Sequence, residues 1–381
     1  MILCSHNRND RPAILAYQIE TLNFFTFASM KIVHVTEAFE GGVIEFLRCL
    51  THSTPELSYI IIYGRPQFFE QAQTSFPSNV QFIPWKHVST QIRPAQDAKA
   101  LSELIKLLKA QQPFDVIHLH SAKAGILGRV AARTIGHKKV IYAPHGATFL
   151  RKDVSAFTRT AYATIEKAFS IFPVKVVGVS KSEADAYRRI GIKAEFINNG
   201  KHFPFMPERK KEKNTFTIVT TGRAARQKNP ALFNKIALEF KHDDHMKFIW
   251  IGDGVERSLL TSPNIVVTGW VEKTEVERIL STANLYLSTA LWEGLPYAVL
   301  EAMSMRLPLL LTDCPGNSDL VENGVNGFLY KDTNEAILRI HEYLHTKELA
   351  QQQGDASFEM LQTAFSIEQM AAGYRKMYST I

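Results

Sequence analysis

Short runs rich in Val and Ile alternate with amphipathic stretches along most of the chain. In the first half "KIVHV" from Lys31, "SYIIIY", "VQFIP", "DVIHLH", "KVIYAP", "VKVVGVS" and "AEFIN" read as strands, with helical spacing over 43–50, 95–111, 124–135 and 155–169. Strands that are apolar on both faces and separated by helices predict a parallel sheet covered on both sides. The rhythm breaks at "KHFPFMPERKKEKN", residues 201–214, where proline and charge mark a linker. It resumes with "FTIVTTG", a helix over 230–241, "KFIWIG", "NIVVTG", a helix over 273–283, "LYLST", a helix over 296–305 and "LPLLLTD". Helical segments then run over 334–378. The expected fold class is α/β, with two doubly wound, Rossmann-like parallel-sheet domains facing a central cleft. The expected boundaries are 30–203 for the first domain and 204–364 for the second, with a last helix over about 365–381 crossing back. The first strand follows directly after Met30, so residues 1–29 read as an extension and Met30 as a candidate initiator.

Composition narrows the class. A chain of 381 residues exceeds one ordinary core and fits two domains. Cys4, Cys49 and Cys314 show neither disulfide nor metal-ligand spacing, so they are expected to be reduced thiols in a cytoplasmic protein without a zinc site. The apolar segment 13–30 is interrupted by Gln18, Glu20 and Asn23, which argues against a spanning helix or a secretory signal. Charge is uneven. Residues 31–200 hold 22 Lys and Arg against 13 Asp and Glu, a surplus of +9, whereas 201–381 hold 20 against 22, or −2. A basic first half suits an anionic membrane surface or a phosphorylated acceptor. Nucleic acid is not expected as a partner, because no helix-turn-helix, zinc or RNA-binding signature accompanies the charge.

The chemistry-bearing residues fall where strands end, which is where doubly wound sheets bind ligands. Gly41 and Gly42 follow the first strand and open a helix, an arrangement that brings backbone N–H groups to a phosphate; a tight turn needs glycine equally often. The turn lacks the G-x-G-x-x-G fingerprint of nicotinamide and flavin sites. Arg223 and Lys228 in "TTGRAARQKN" are spaced to close on one diphosphate, with a solvated basic loop as the alternative. His145 in "YAPHGATF" can hydrogen-bond a sugar hydroxyl or stabilise charge near a reacting carbon. His118 and His120 alternate along a strand, and at least one is expected to be a core residue. In "WEGLPYAVLEAM", Pro296 fits the first helical position, leaving Glu293 and Gly294 on the entering loop and Glu301 in the second turn. The stretch Gly294, Leu295, Pro296 and Tyr297, whose N–H groups other than the missing one of Pro296 are exposed at the helix start, then marks an anion site, with one carboxylate toward each end of a bound nucleotide diphosphate.

Taken together, the E-x7-E run from Glu293 to Glu301, the "GR" and Lys at 223 and 228, the "PHG" at 144–146, the "NNG" at 198–200 and the glycine pair at 41–42 resemble the retaining glycosyltransferases of family 4, which have the GT-B fold. The resemblance spans about residues 31–378. "HLHSAKAGILGR" and "PHGATFLRKD" are similar to bacterial transferases that build capsule, O-antigen and exopolysaccharide. It implies that Glu301 binds the ribose hydroxyls and Glu293 those of the donor sugar. Arg223 and Lys228 would neutralise the leaving diphosphate, Gly42 would bring it a backbone N–H, and His145 would sit near the donor sugar. These roles make His145, Glu293, Arg223 and Lys228 the expected catalytic set. Val271 would carry the base on its backbone and Gly316 would approach the sugar. The family's "GG-x-x-E" stands here as "CPGNSDLV", which leaves Asp319 without an assigned role. The implied donor is a UDP- or GDP-sugar, with no cofactor and no metal, since no D-x-D motif lies in the expected cleft. The implied acceptor is lipid-linked or a saccharide, met on the inner face of the plasma membrane. Rival readings are a GT-B nucleotide-sugar epimerase or phosphorylase, a Rossmann oxidoreductase, and a non-catalytic nucleotide-sugar-binding subunit of a synthesis complex.

Overall fold

The computed structural model describes residues 30–64, 73–202 and 215–381. The extension read over 1–29 and most of the linker read over 201–214 lie outside the described residues.

In the first half, β1 (Lys31–Thr36), α1 (Gly41–Ser53), β2 (Ser58–Tyr63), β3 (Val80–Pro84), α2 (Pro94–Ala110), β4 (Val116–His120), α3 (Ala122–Thr134), β5 (Val140–Ala143), α4 (Ala156–Phe169), β6 (Lys175–Gly178), α5 (Lys181–Arg189) and β7 (Ala194–Phe196) follow in order. The strands form one parallel sheet in the order β3-β2-β1-β4-β5-β6-β7. The second half holds β8 (Phe216–Thr221), α6 (Pro230–Glu239), β9 (Met246–Ile251), β10 (Ile265–Val267), α7 (Lys273–Thr282), β11 (Leu285–Ser288), α8 (Tyr297–Ser304), β12 (Leu309–Thr312) and β13 (Gly327–Tyr330). Its sheet is also parallel, in the order β10-β9-β8-β11-β12-β13. The chain closes with α9 (Thr333–His345), α10 (Lys347–Ala364) and α11 (Ile367–Thr380).

Strand order reverses beside β1 in the first sheet and beside β8 in the second. Loops leaving adjacent strands there diverge to opposite faces and open a crevice at the strands' carboxyl ends. Each sheet has its own buried layer. Ile62, Leu104, Leu119 and Tyr187 mark one; Phe233, Trp250, Leu310 and Tyr343 mark the other. A third cluster joins the halves, because α11 returns to the first sheet and seats Met370, Tyr374 and Tyr378 with Phe46, Leu47 and Leu50 of α1. Arg375 of α11 fixes that return, with Nε 2.6 Å from Oε1 of Glu56. No described helix is long and apolar enough to cross a membrane.

The helix after β11 starts one residue later than its proline suggests. Pro296 has extended ψ and is the capping residue, and Tyr297 is the first helical position, with Glu301 still in the second turn.

Candidate functional site

One cleft of about 750 Å³ lies between the two sheets, and Gly41, Gly42, His145, Arg223, Lys228, Glu293, Gly294, Leu295, Pro296 and Glu301 all line it. The sequence scatters these residues over more than 250 positions; the two strand-order reversals bring them together. Gly41 stands at φ +56°, a conformation that any side chain would strain, and so the α1 turn can expose its amides.

The charged groups of the cleft are paired with one another. Lys228 Nζ lies 2.7 Å from Glu293 Oε1, and Glu293 is only 6% exposed. Burial works against the Lys228 charge, yet the adjacent Glu293 carboxylate outweighs it and holds the ammonium above its ordinary range. Gln227 secures the other side of the loop, donating from Nε2 to the Trp292 carbonyl at 3.1 Å. Arg223 reaches across the cleft to Glu40, 3.3 Å away at the start of α1. Glu301 is 2.8 Å from the ammonium of Lys201, which also contacts Glu45 of α1 at 3.2 Å. Burial disfavours the ionised Glu45, but Lys201 and Arg48 together hold its carboxyl at about 2. Each of these cleft cations is thus held against a carboxylate.

His145 sits on a strained loop. Its φ is +54°, uncommon for a residue with a side chain, and Gly146 follows at +104°. The buried carboxylate of Glu183 holds the loop by accepting from the amides of Gly146 at 2.6 Å, Ala147 at 2.9 Å and Val179 at 2.9 Å. Burial lifts this carboxyl to about 7. Across the cleft Gly294 approaches so closely that a Cβ on it would stand 2.8 Å from the Gly146 amide nitrogen. Both His118 and His120 are fully buried. His120 is hydrogen-bonded to His145, so the interior histidines connect to the cleft.

Two expected site residues do not themselves line the cleft. Gly316 is not on the cleft wall. It packs behind Glu293, and its amide donates to Ser182 Oγ at 2.9 Å and to Asp319 Oδ2 at 3.2 Å. The Val271 side chain packs against the core and its neighbour Trp270 lines the cleft, so the backbone of this loop borders the cleft. Asp319 gains a role that sequence did not assign: its Oδ1 accepts from the Ser182 amide at 2.9 Å, tying the second half to the start of α5.

Several contributors escaped sequence reading. Lys201 falls in the proline- and charge-rich stretch that reads as a linker, yet it is 4% exposed and joins both halves. Glu40 and Glu45 carry no motif of their own. Glu183 was detectable, since Ser180 and Glu183 have capping-box spacing and the Ser180 hydroxyl accepts from the Glu183 amide at 3.2 Å.

Comparison with known proteins agrees with this geometry. Residues 63–200 match the family described as Glycosyl transferase 4-like domain, and residues 215–346 match Glycosyl transferases group 1. The chain belongs to this glycosyltransferase family. The UDP-Gal:alpha-D-GlcNAc-diphosphoundecaprenol alpha-1,3-galactosyltransferase of Escherichia coli is 29% identical over 265 residues, 61% of this chain and 66% of that one. The O-antigen biosynthesis glycosyltransferase WbnH of Escherichia coli is 28% identical over 63% of this chain and 70% of its own length. Among solved structures, Anabaena Alr3699/HepE in complex with UDP and glucose superposes with a TM-score of 0.75 at 15% identity, covering 92% of this chain and all of that one. That likeness establishes the fold: this glycosyltransferase has two facing Rossmann-like domains in the GT-B arrangement, as the motifs implied.

Proposed function

We propose that this glycosyltransferase moves a sugar from a UDP- or GDP-sugar to a hydroxyl of a lipid-linked or saccharide acceptor, with retention of anomeric configuration, in the synthesis of a cell-surface polysaccharide. The observation that carries this reading is the convergence of Arg223, Lys228, Glu293, Glu301 and the start of α8 on a single cleft. The printed activities of the Escherichia coli relatives support the substrate class.

In this reading the diphosphate lies between the α1 turn and the Arg223 and Lys228 cations, and the ribose hydroxyls reach Glu301. Glu293 accepts hydrogen bonds from the donor sugar. Its salt bridge to Lys228 keeps it a poor nucleophile, which favours a front-face reaction in which the departing diphosphate takes the acceptor's proton. The enzyme's main task is then to stabilise charge growing on the leaving group, and two fixed cations perform it in place of a divalent ion. The test is to incubate purified enzyme, α-linked donor and acceptor with excess chelator and read the product's anomeric coupling by NMR. The expected product is α-linked and forms at an undiminished rate. A β-linked product would overturn retention, and loss of activity with chelator would overturn metal independence.

A peripheral position on the inner face of the plasma membrane follows from the same reading. Residues 31–200 carry the +9 surplus; α4 exposes Phe157 at 84% in its first turn and Lys167 in its last, and the turn that follows exposes Ile171 at 81%. Apolar side chains among cations suit an anionic lipid surface. Binding to phosphatidylglycerol vesicles is expected to fall at least tenfold between 0.05 and 0.5 M salt, on the order expected for screened surface charge. It should weaken further in Phe157→Ser; salt-independent binding would contradict the proposal.

A further inference from the structure

The imidazole of His145 is the cleft end of a chain of buried rings. Its Nε2 lies 2.8 Å from Nδ1 of His120, and Nε2 of His120 lies 2.8 Å from Nδ1 of His34. His34 on β1 and His118 and His120 on β4 have no exposed surface. His118 Nδ1 meets the hydroxyl of Tyr378, on the returning helix α11, at 2.9 Å. The rings of His34 and His118 lie 5.1 Å apart, and the Nε2 atoms of both are buried without a hydrogen-bond partner.

A neutral imidazole has one N–H and one lone pair, so hydrogen-bonded imidazoles in series allow only two proton arrangements, one the reverse of the other. In one, His145 turns a lone pair at Nδ1 to the cleft; in the other it turns an N–H. Burial keeps the rings neutral, with His34 and His145 pushed down to about 3 and His118 and His120 well below their ordinary value. Tyr378 selects between the arrangements. The Tyr378 hydroxyl has no other hydrogen-bond partner among the described residues, so its O–H is assigned as the donor to His118 Nδ1, an assignment that places the His118 proton on Nε2. That N–H is enclosed beside His34, and a second N–H at His34 Nε2 would crowd two donors into a space with no acceptor. His34 therefore keeps its lone pair at Nε2 and its proton at Nδ1. The proton of His34 is donated to His120 Nε2, that of His120 Nδ1 to His145 Nε2, and Nδ1 of His145 carries the last N–H into the cleft.

We propose that Tyr378, His118, His34 and His120 are positioning residues that hold His145 as an Nδ1–H donor aimed at the donor sugar, so that the returning C-terminal helix sets the hydrogen-bond polarity of the reaction centre. The part about the donor rests on the functional reading above; the proton arrangement does not. Phe46 closes the apolar side, its ring centroid 4.8 Å from that of His145 and 5.4 Å from that of His120.

The experiment is long-range nitrogen–proton NMR on the full chain labelled with ¹⁵N-histidine, at pH 7.5 and without nucleotide. The expected result is a neutral His145 protonated at Nδ1. In Tyr378→Phe, which preserves the ring, and in His120→Phe, which cuts the chain, the proton is expected to shift wholly or partly to Nε2. In both variants kcat should fall about tenfold, on the order of one lost hydrogen bond, while the donor KM changes by less than about twofold. If His120→Phe fails to fold, Tyr378→Phe carries the test. A wild-type His145 protonated at Nε2, or a folded Tyr378→Phe with unchanged tautomer and kcat, would overturn the proposal. So would a stoichiometric transition-metal ion in the purified chain that His34→Asn removes, because it would occupy nitrogens the chain needs. If His145 is protonated at Nδ1 but no nucleotide binds, the functional reading fails and the proton arrangement stands.

Discussion

Lys228→Ala is expected to lower turnover by about 10²–10³, the loss seen when one preorganised charge on a developing anion is removed. It is also expected to cost stability, for a reason the sequence could not show. Lys228 is salt-bridged to Glu293, whose side chain is 8% exposed, so the substitution strands a carboxylate in the interior. Breaking a buried pair from one side costs about 3 kcal/mol or more. The double variant Lys228→Met/Glu293→Gln separates the two effects. It removes both charges, so its thermal midpoint should return toward wild type while turnover stays low. Turnover within tenfold of wild type in folded Lys228→Ala would remove this residue from the reaction.

Acidification is the second large effect. The unfolded chain protonates His34, His118, His120 and His145 near pH 6.5, whereas the folded chain holds all of them far lower because they are buried. The unfolded state therefore binds more protons below pH 6.5, and these residues make stability fall as pH falls. One unit below 6.5 each such residue costs somewhat more than 1 kcal/mol, or about 6 kcal/mol for the set of four. Glu183 acts in the opposite sense. Its folded carboxyl is raised to about 7, so the folded state takes up its proton first and gains about 2 kcal/mol over the same interval. Glu37, likewise raised by burial, has the same sign as Glu183. The histidines win, and guanidinium unfolding should show a net loss of a few kcal/mol between pH 7.5 and 5.5. His118→Phe should flatten that slope by about one proton. Stability that holds steady or rises toward pH 5.5 would contradict the assignment of neutral, buried imidazoles.

Much of this architecture is legible in the pattern of apolar positions. The runs that read as strands are parallel strands, although β13 (Gly327–Tyr330) is missed, and the alternation of strand and helix specifies two doubly wound sheets. The positions after strand ends contain most of the cleft wall because doubly wound topology puts ligands there. What stayed hidden depends on long-range pairing. Lys201 looks like one more charge in a basic linker; only the fold shows that it joins Glu45 to Glu301. Gly316 has the residue type for a close ligand approach, but its amide is spent on Ser182 and Asp319. His34 gave no signal within "KIVHV", since a strand histidine meets its partner on β4 only through sheet register, where His34 stands opposite His118. The one-residue shift at Pro296 is smaller in kind: proline suits both the cap and the first helical turn, and spacing alone does not separate them.

The central claim is that the cleft binds a nucleotide diphosphate sugar through these paired charges. It is tested most directly by thermal stabilisation of the purified chain with UDP, GDP and their common sugar conjugates, with Glu301→Ala in parallel. At 100 times Kd a ligand confined to the folded state adds about 2.7 kcal/mol, a readily measured rise in the unfolding midpoint. The account predicts that one nucleotide series stabilises the wild type and that Glu301→Ala loses most of the effect. Stabilisation by neither series, or by one to the same extent in Glu301→Ala, would contradict it.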